Sequence, residues 1–291
     1  MLSTFWSTFW SNTVWYILLF VMSIITNVFI LYKTKNKKFE IAFLFSIIGF
    51  AFALEAILVL VLNAYSYHPK IFEDPYLDII VGNYFSQISL SSTALLLIVY
   101  DLSYLWYGIF AFIYFVIDFL FAKYGLFEHF WFKSSYTLIG FAPFFWLIKK
   151  WHMKAKTAAN RFINYISLYF SVASFSTFVI FLPQRLLGIQ LLQTNIFFTD
   201  MNRNNTSSGF VYQLIVLNYL ILLHKFHMSR LAKAIAFSSL FIAQYFIYTW
   251  GYIYIFKGLF LMVTSFDLLG CYLLVVIFNY LFSEQSFTRC D

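Results

Sequence analysis

Polar residues in this chain fall in short clusters, and between them the apolar positions run on without a two-residue alternation. The stretch Ile41 to Leu62 is apolar on every face and carries one charge, Glu55. A membrane barrel strand would alternate apolar and polar over about ten residues. Unbroken blocks of roughly 17–25 residues instead match helices that cross a hydrocarbon core of about 30 Å. Nine such blocks lie near residues 12–32, 40–64, 79–100, 103–122, 136–150, 162–183, 210–226, 232–256 and 258–282. They predict an all-α, polytopic integral membrane bundle of about nine transmembrane helices. That bundle is a single transmembrane domain over 1–291 with no soluble domain. The block at 136–150 is short and holds Gly140 and Pro143, so a re-entrant segment there, or a count of seven or eight, is the alternative.

Composition strengthens the class, with 62% hydrophobic and 11% charged residues. Charge then sets an orientation. With nine alternating spans, Lys33, Lys35, Lys37, Lys38, Lys149, Lys150, Lys154, Lys156, Arg161, Lys225, Arg230, Lys233 and Arg289 share one side. Lys70, Lys123, Lys133, Arg185, Arg203 and Lys257 share the other. Basic residues collect in cytoplasmic loops, so the amino terminus is expected outside and the carboxyl terminus inside. Met1 to Ser11 has no basic residue, and the first Lys follows the first block, the pattern of a retained, reversed signal anchor. The net charge of +7 is accounted for by inner loops facing anionic lipid, and no nucleic-acid partner is expected.

Few motifs carry chemistry. Cys271 sits in the last span and Cys290 in the inner tail, so no outer pair forms a disulfide. The histidines His68, His129, His152, His224 and His227 are scattered over loops without metal-ligand spacing, and no metal or cofactor is expected. HExxH, GxSxG, Walker A and GxGxxG patterns are absent, and Lys257 lies at a helix edge rather than deep in the last span, as a retinal anchor would. The chain is therefore not expected to be an enzyme. Asn204-Asn205-Thr206-Ser207 holds two overlapping glycosylation sequons on an expected outer loop from Pro183 to Gly209.

The polar residues inside spans are the most informative positions, because an acid at mid-bilayer costs roughly 2.5–3.5 kcal/mol on insertion scales. Glu55, Asp118 and Asp267 are the acids in question, and no Lys or Arg lies deep enough to neutralise them. At 1.5 Å per residue, Glu55 and Asp267 share a level about 13 Å below the outer boundary. Gln87, Asn218 and Gln244 fall within about a turn of that level. Asn83, Ser86, Gln87 and Ser91 form one stripe, and a hairpin about Asp101 brings Asp118 opposite it. These residues, Glu55, Asp267, Gln87, Asn83, Asp118, Asn218 and Gln244, are the candidates for a solute, ion or proton site. The bland reading is that the amides and hydroxyls glue helices together, at about 0.6 kcal/mol per pair.

Residues 79–156 contain Gly82-Asn83-Tyr84-Phe85-Ser86-Gln87, then Phe121-Ala122-Lys123-Tyr124-Gly125-Leu126-Phe127-Glu128-His129-Phe130-Trp131, then Trp146-Leu147-Ile148-Lys149-Lys150-Trp151. This stretch resembles small multi-pass membrane proteins of low-GC, spore-forming Gram-positive bacteria. The resemblance implies a bacterial plasma membrane and supplies no activity. Glu128, His129 and Trp131 form its most distinctive motif, expected as an aromatic segment at the outer interface. The functional expectation is a small-solute or ion transport or permeation protein, proton-linked through Glu55 and Asp267. The alternative is a non-transporting sensor, scaffold or assembly partner that meets another membrane protein or a second copy of itself.

Overall fold

The computed structural model describes residues 7–157, 160–194, 196–226 and 228–283. The first six residues, His227, Arg289 and Cys290 lie outside the described residues. Nine long helices are present among those described. They are α1 (Phe9–Lys33), α2 (Lys37–Val61), α3 (Pro75–Val99), α4 (Tyr104–Lys123), α5 (Ser134–Lys156), α6 (Arg161–Leu186), α7 (Met201–Lys225), α8 (Arg230–Thr249) and α9 (Phe260–Ser283). Seven of them are long and apolar enough to cross a membrane. The other two are α3, interrupted by Asn83, Ser86, Gln87, Ser89, Ser91 and Ser92, and α5, whose second half carries Lys149, Lys150, Lys154 and Lys156. The block at 136–150 is thus the middle of a 23-residue helix that continues through Pro143.

Two features depart from the sequence reading. The stretch 184–209 is not an open loop: it holds the end of α6, a strand, and the first turns of α7. Its Asn, Thr and Ser residues hide a helix start capped by Asp200, which accepts from the Arg203 amide. The sequons therefore lie on a helix. Asn204 is fully buried, its Oδ1 accepts from the amides of Phe197 and Phe198, and it is closed to glycosylation. The second departure is four three-residue strands, β1 (Tyr65–Tyr67), β2 (Phe127–His129), β3 (Gln190–Leu192) and β4 (Ile253–Ile255). They pair antiparallel as two ribbons, Tyr67 facing Phe127 in one and Leu192 facing Ile253 in the other.

The chain divides into two compact units, Met1–Asn164 and Tyr165–Asp291. In the first, α1 and α2 both pack along α3, and α4 packs along α5. The β1–β2 ribbon closes one end over a cluster of Tyr16, Ala64, Tyr65, Tyr67, Leu126 and Phe127. Helix α1 is fastened to this end by Tyr16 Oη donating to Leu126 O (2.5 Å) and Asn12 Nδ2 donating to His68 O (2.9 Å). In the second unit, α9 packs against α7 and α8, and β3–β4 covers a cluster of Ile253, Ile255 and Val263.

The two units repeat one plan. The order α2, β1, α3, α4, β2, α5 recurs as α6, β3, α7, α8, β4, α9. From α3 onward the offset is constant at 126 residues: 75 to 201, 104 to 230, 127 to 253 and 134 to 260. The first strand of each ribbon follows at an offset of 125, from 65 to 190. Local chemistry repeats as well. Asp78 accepts from the amides of Lys70, Ile71 and Phe72, as Asn204 accepts from those of Phe197 and Phe198. Gly125 (φ +70°) and Gly251 (φ +78°) make the same left-handed turn before β2 and β4, where a side chain would strain the backbone. Both α2 and α6 widen into a π-helical turn, at Ile57–Val61 and Thr177–Phe181.

Candidate functional site

Helix α2 brings Glu55 to the turn before its π-helical segment, and the ribbon β1 returns over it so that Tyr67 Oη donates to Glu55 Oε1. The Tyr65 hydroxyl faces the same carboxyl. Burial, and next the Glu55 carboxyl, hold both phenols well above the usual tyrosine range, so they remain donors. Close approach of β1 to α3 is possible because residue 82 is glycine. A Cβ there would stand 2.8 Å from Tyr67 Cβ.

Beneath the ribbon, the first unit holds a partly open cavity of about 250 Å³. Glu55, Asp118, Ser86 and Gln87 supply its polar wall, and Phe121, Phe127, Phe132, Tyr136, Phe141 and Phe144 supply aromatic surface. Asp118, on α4, lies 3.4 Å from Nε2 of His129 on β2, and the Ser134 hydroxyl faces it. Tyr114 Oη is fixed by Ser89 (2.9 Å) and Thr93 (3.0 Å) on α3. Two carboxyl groups and an amide therefore share one largely aromatic space whose other polar groups are hydroxyls, among them those of Tyr65, Tyr67, Ser86 and Thr137.

Compared with known protein families, curated proteins and solved structures, the chain matches none. The reading of the site rests on its own geometry.

Of the residues singled out by sequence, Glu55, Gln87 and Asp118 meet in this cavity. Asn83 is buried on α3 outside its lining, so the expected stripe along α3 divides. Glu128 and His129 belong to β2 rather than to a simple anchor segment. Glu128 Oε2 lies 3.3 Å from His68 Nε2, and the half-exposed Trp131 donates Nε1–H to Leu62 O at 2.8 Å. Asp267 and Gln244 lie in the second unit. Asp267 Oδ1 accepts from Gln184 Nε2 at 2.6 Å. Asn218 acts as helix glue, accepting from Tyr165 Oη and donating to Leu214 O. Glu55 and Asp267 are each engaged by partners of their own unit.

Two residues escaped the sequence reading. His152 is not on a loop: it is buried on α5, with Nε2 2.9 Å from Oε2 of the equally buried Glu40 at the start of α2. Phe39 and Phe43 pack edge-on to its ring, at 5.3 and 5.0 Å. Glu40 follows four lysines within eight residues and reads as part of a solvated cluster. The signal that separates it is position: three residues into a capped helix, it lies one turn before the apolar block's core. Glu40 and Glu55 mark opposite ends of α2, 15 residues and about 22 Å apart.

Proposed function

We propose that this chain is a multi-pass membrane protein that binds and moves a small solute with a cationic or hydrogen-bond-donating head through its first unit. One observation carries the reading: Glu55 and Asp118 share a small cavity walled by aromatic faces. A carboxyl pair supplies charge and acceptors, and ring faces attract an organic cation with roughly 0.5–2 kcal/mol per contact. Pockets for drug-sized ligands span about 300–1,000 Å³, so the 250 Å³ cavity suits a smaller occupant. Acids buried among membrane helices are costly, and they mark solute, ion or proton pathways more often than scaffolding.

All nine helices cross the membrane in this proposal, with the amino terminus outside, the carboxyl terminus inside and both ribbons on the outer side. The distribution of Lys and Arg supports that orientation, and the resemblance of residues 79–156 supports a bacterial plasma membrane. Uptake of methylammonium, ethylammonium and tetramethylammonium into proteoliposomes tests the activity, with and without a pH step. Wild type should take up at least one of them saturably, and Glu55→Gln should reduce that uptake at least tenfold. Equal uptake by wild type and variant, or none above empty vesicles, would remove the proposal.

A further inference from the structure

The repeat allows the wall of the first cavity to be projected onto the second unit. Tyr65, Ser86, Asp118 and Phe141 line the cavity, and their counterparts are Gln190, Tyr212, Gln244 and Asp267. The second unit therefore places polar groups where the first places its cavity wall, and its carboxyl has moved from α2 and α4 to α9. Contacts agree with this projection. Gln184 donates to Asp267 Oδ1 at 2.6 Å, and the Gln190 side chain faces the same carboxyl, as Tyr65 faces Glu55.

What distinguishes the second centre is a set of buried polar atoms without a hydrogen-bond partner. Asp267 Oδ2, Gln184 Oε1, Gln244 Oε1 and Tyr212 Oη are among them, and so is the Gln244 nitrogen Nε2. Asp267, Gln244 and Gln184 are 1%, 4% and 7% exposed. Leaving a buried polar group unpaired costs about 1–3 kcal/mol, so the carboxyl oxygen, with the oxygens of Gln184, Tyr212 and, at its position in the repeat, Gln244, favours an occupant that accepts lone pairs. The aromatic faces of the first cavity are largely gone here, with Ile247, Ile253 and Met262 at the positions of Phe121, Phe127 and Tyr136, which disfavours an organic cation. Oxygen-only donors suit a hard metal ion, and a single carboxylate among neutral oxygens suits one positive charge. The π-helical turn of α6 lies within one turn of Gln184 and is held open by Gln213, which donates to Ala173 O (2.9 Å) and Thr177 Oγ1 (2.6 Å). Such turns recur at functional sites.

We infer that the second unit holds a monovalent metal cation between Asp267 and the oxygens of Gln184, Gln244 and Tyr212. The inference stands apart from the solute cavity, since no residue is shared with it. Equilibrium binding of radioactive sodium to the purified full-length chain in micelles tests it. Wild type should bind about one sodium ion per chain, displaced by unlabelled sodium chloride. Asp267→Asn should weaken binding at least tenfold, and Gln244→Leu and Gln184→Leu should each do so by a smaller factor of at least three. The two leucine variants remove no charge and keep the test decisive if Asp267→Asn fails to elute as a folded species. Glu55→Gln, in the other unit, should bind sodium as wild type does, so this inference and the solute proposal fail separately. No saturable binding up to about 100 mM sodium, roughly a hundredfold above the dissociation constants of the weakest calcium sites, would overturn it. So would affinity within twofold of wild type in all three variants, the result for a centre filled by water alone.

Discussion

Replacing His152 with Phe removes the nitrogen that meets Glu40 while keeping a ring against Phe39 and Phe43. The packing contribution is thereby held nearly constant, and the measured loss belongs to the polar contact. Glu40 is 2% exposed, so water cannot replace the lost partner. Breaking a buried pair by removing one member costs about 3–5 kcal/mol, whereas replacing both members by apolar groups is often close to neutral. His152→Phe should therefore lose about 3–5 kcal/mol, and adding Glu40→Leu should recover at least about 2 kcal/mol of it. Reversible unfolding in mixed detergent micelles, run as a double-mutant cycle, gives both numbers. A loss below about 1 kcal/mol for His152→Phe, or a further loss when Glu40→Leu is added, would refute the buried pair as a coupled unit.

Gly82→Ala should displace β1, because the new Cβ meets Tyr67 Cβ at 2.8 Å, and overpacking of this kind costs about 1–3 kcal/mol. Loss of ammonium-ion uptake together with a lowered unfolding midpoint is the expected result, and Gly82→Ser should behave no better. Asn204→Ala unpairs two amides and should destabilise by about 2 kcal/mol, while wild type expressed in a glycosylating host should show no glycosidase-sensitive mass at Asn204. Asp101 sits at φ +48° with its carboxyl 2.7 Å from Lys149 Nζ, and that hydrogen bond and charge hold it below the usual aspartate range. Its contribution is thus complete above the unfolded value of about 4 and is lost as pH falls through the folded one. Asp101→Asn, which tolerates the same backbone, should lower stability by a constant amount near pH 7, and the difference from wild type should vanish as pH falls below about 4.

Much of the architecture was open to a reader of the sequence. Apolar blocks located all nine helices, and a hairpin at Asp101 followed from the punctuation around it. Glu55, Gln87 and Asp118 could be placed together because depth and periodicity constrain helix faces. The rest depended on tertiary facts that leave a faint trace in composition. Three-residue strands have no periodicity to detect, and α7 begins in a polar segment whose start is set by the Asp200 cap, with Asn204 holding the preceding amides of Phe197 and Phe198. The repeat kept few identities, among them Asp74 with Asp200, Gln87 with Gln213 and Gly125 with Gly251. The aspartates and glycines sit at caps and turns, where geometry limits the choice of residue, whereas the two glutamines lie within α3 and α7. His129 near Asp118 was hidden by its place in a segment that otherwise reads as an aromatic anchor.

The ribbon β1–β2 joins the end of α2 to the link between α4 and α5 through main-chain hydrogen bonds, and Phe130 N and His68 N extend the same ladder. Such a ladder has one register, since a one-residue slip would turn Tyr65 and Tyr67 away from Glu55. Helices tied this way cannot slide past one another at that end without breaking several bonds together. A displacement of these helices that spared the ribbon would have to be taken up at the far end of α2, where Glu40 meets His152. The two ends of that helix are thus held by different means: main-chain bonds at one and a buried side-chain contact at the other.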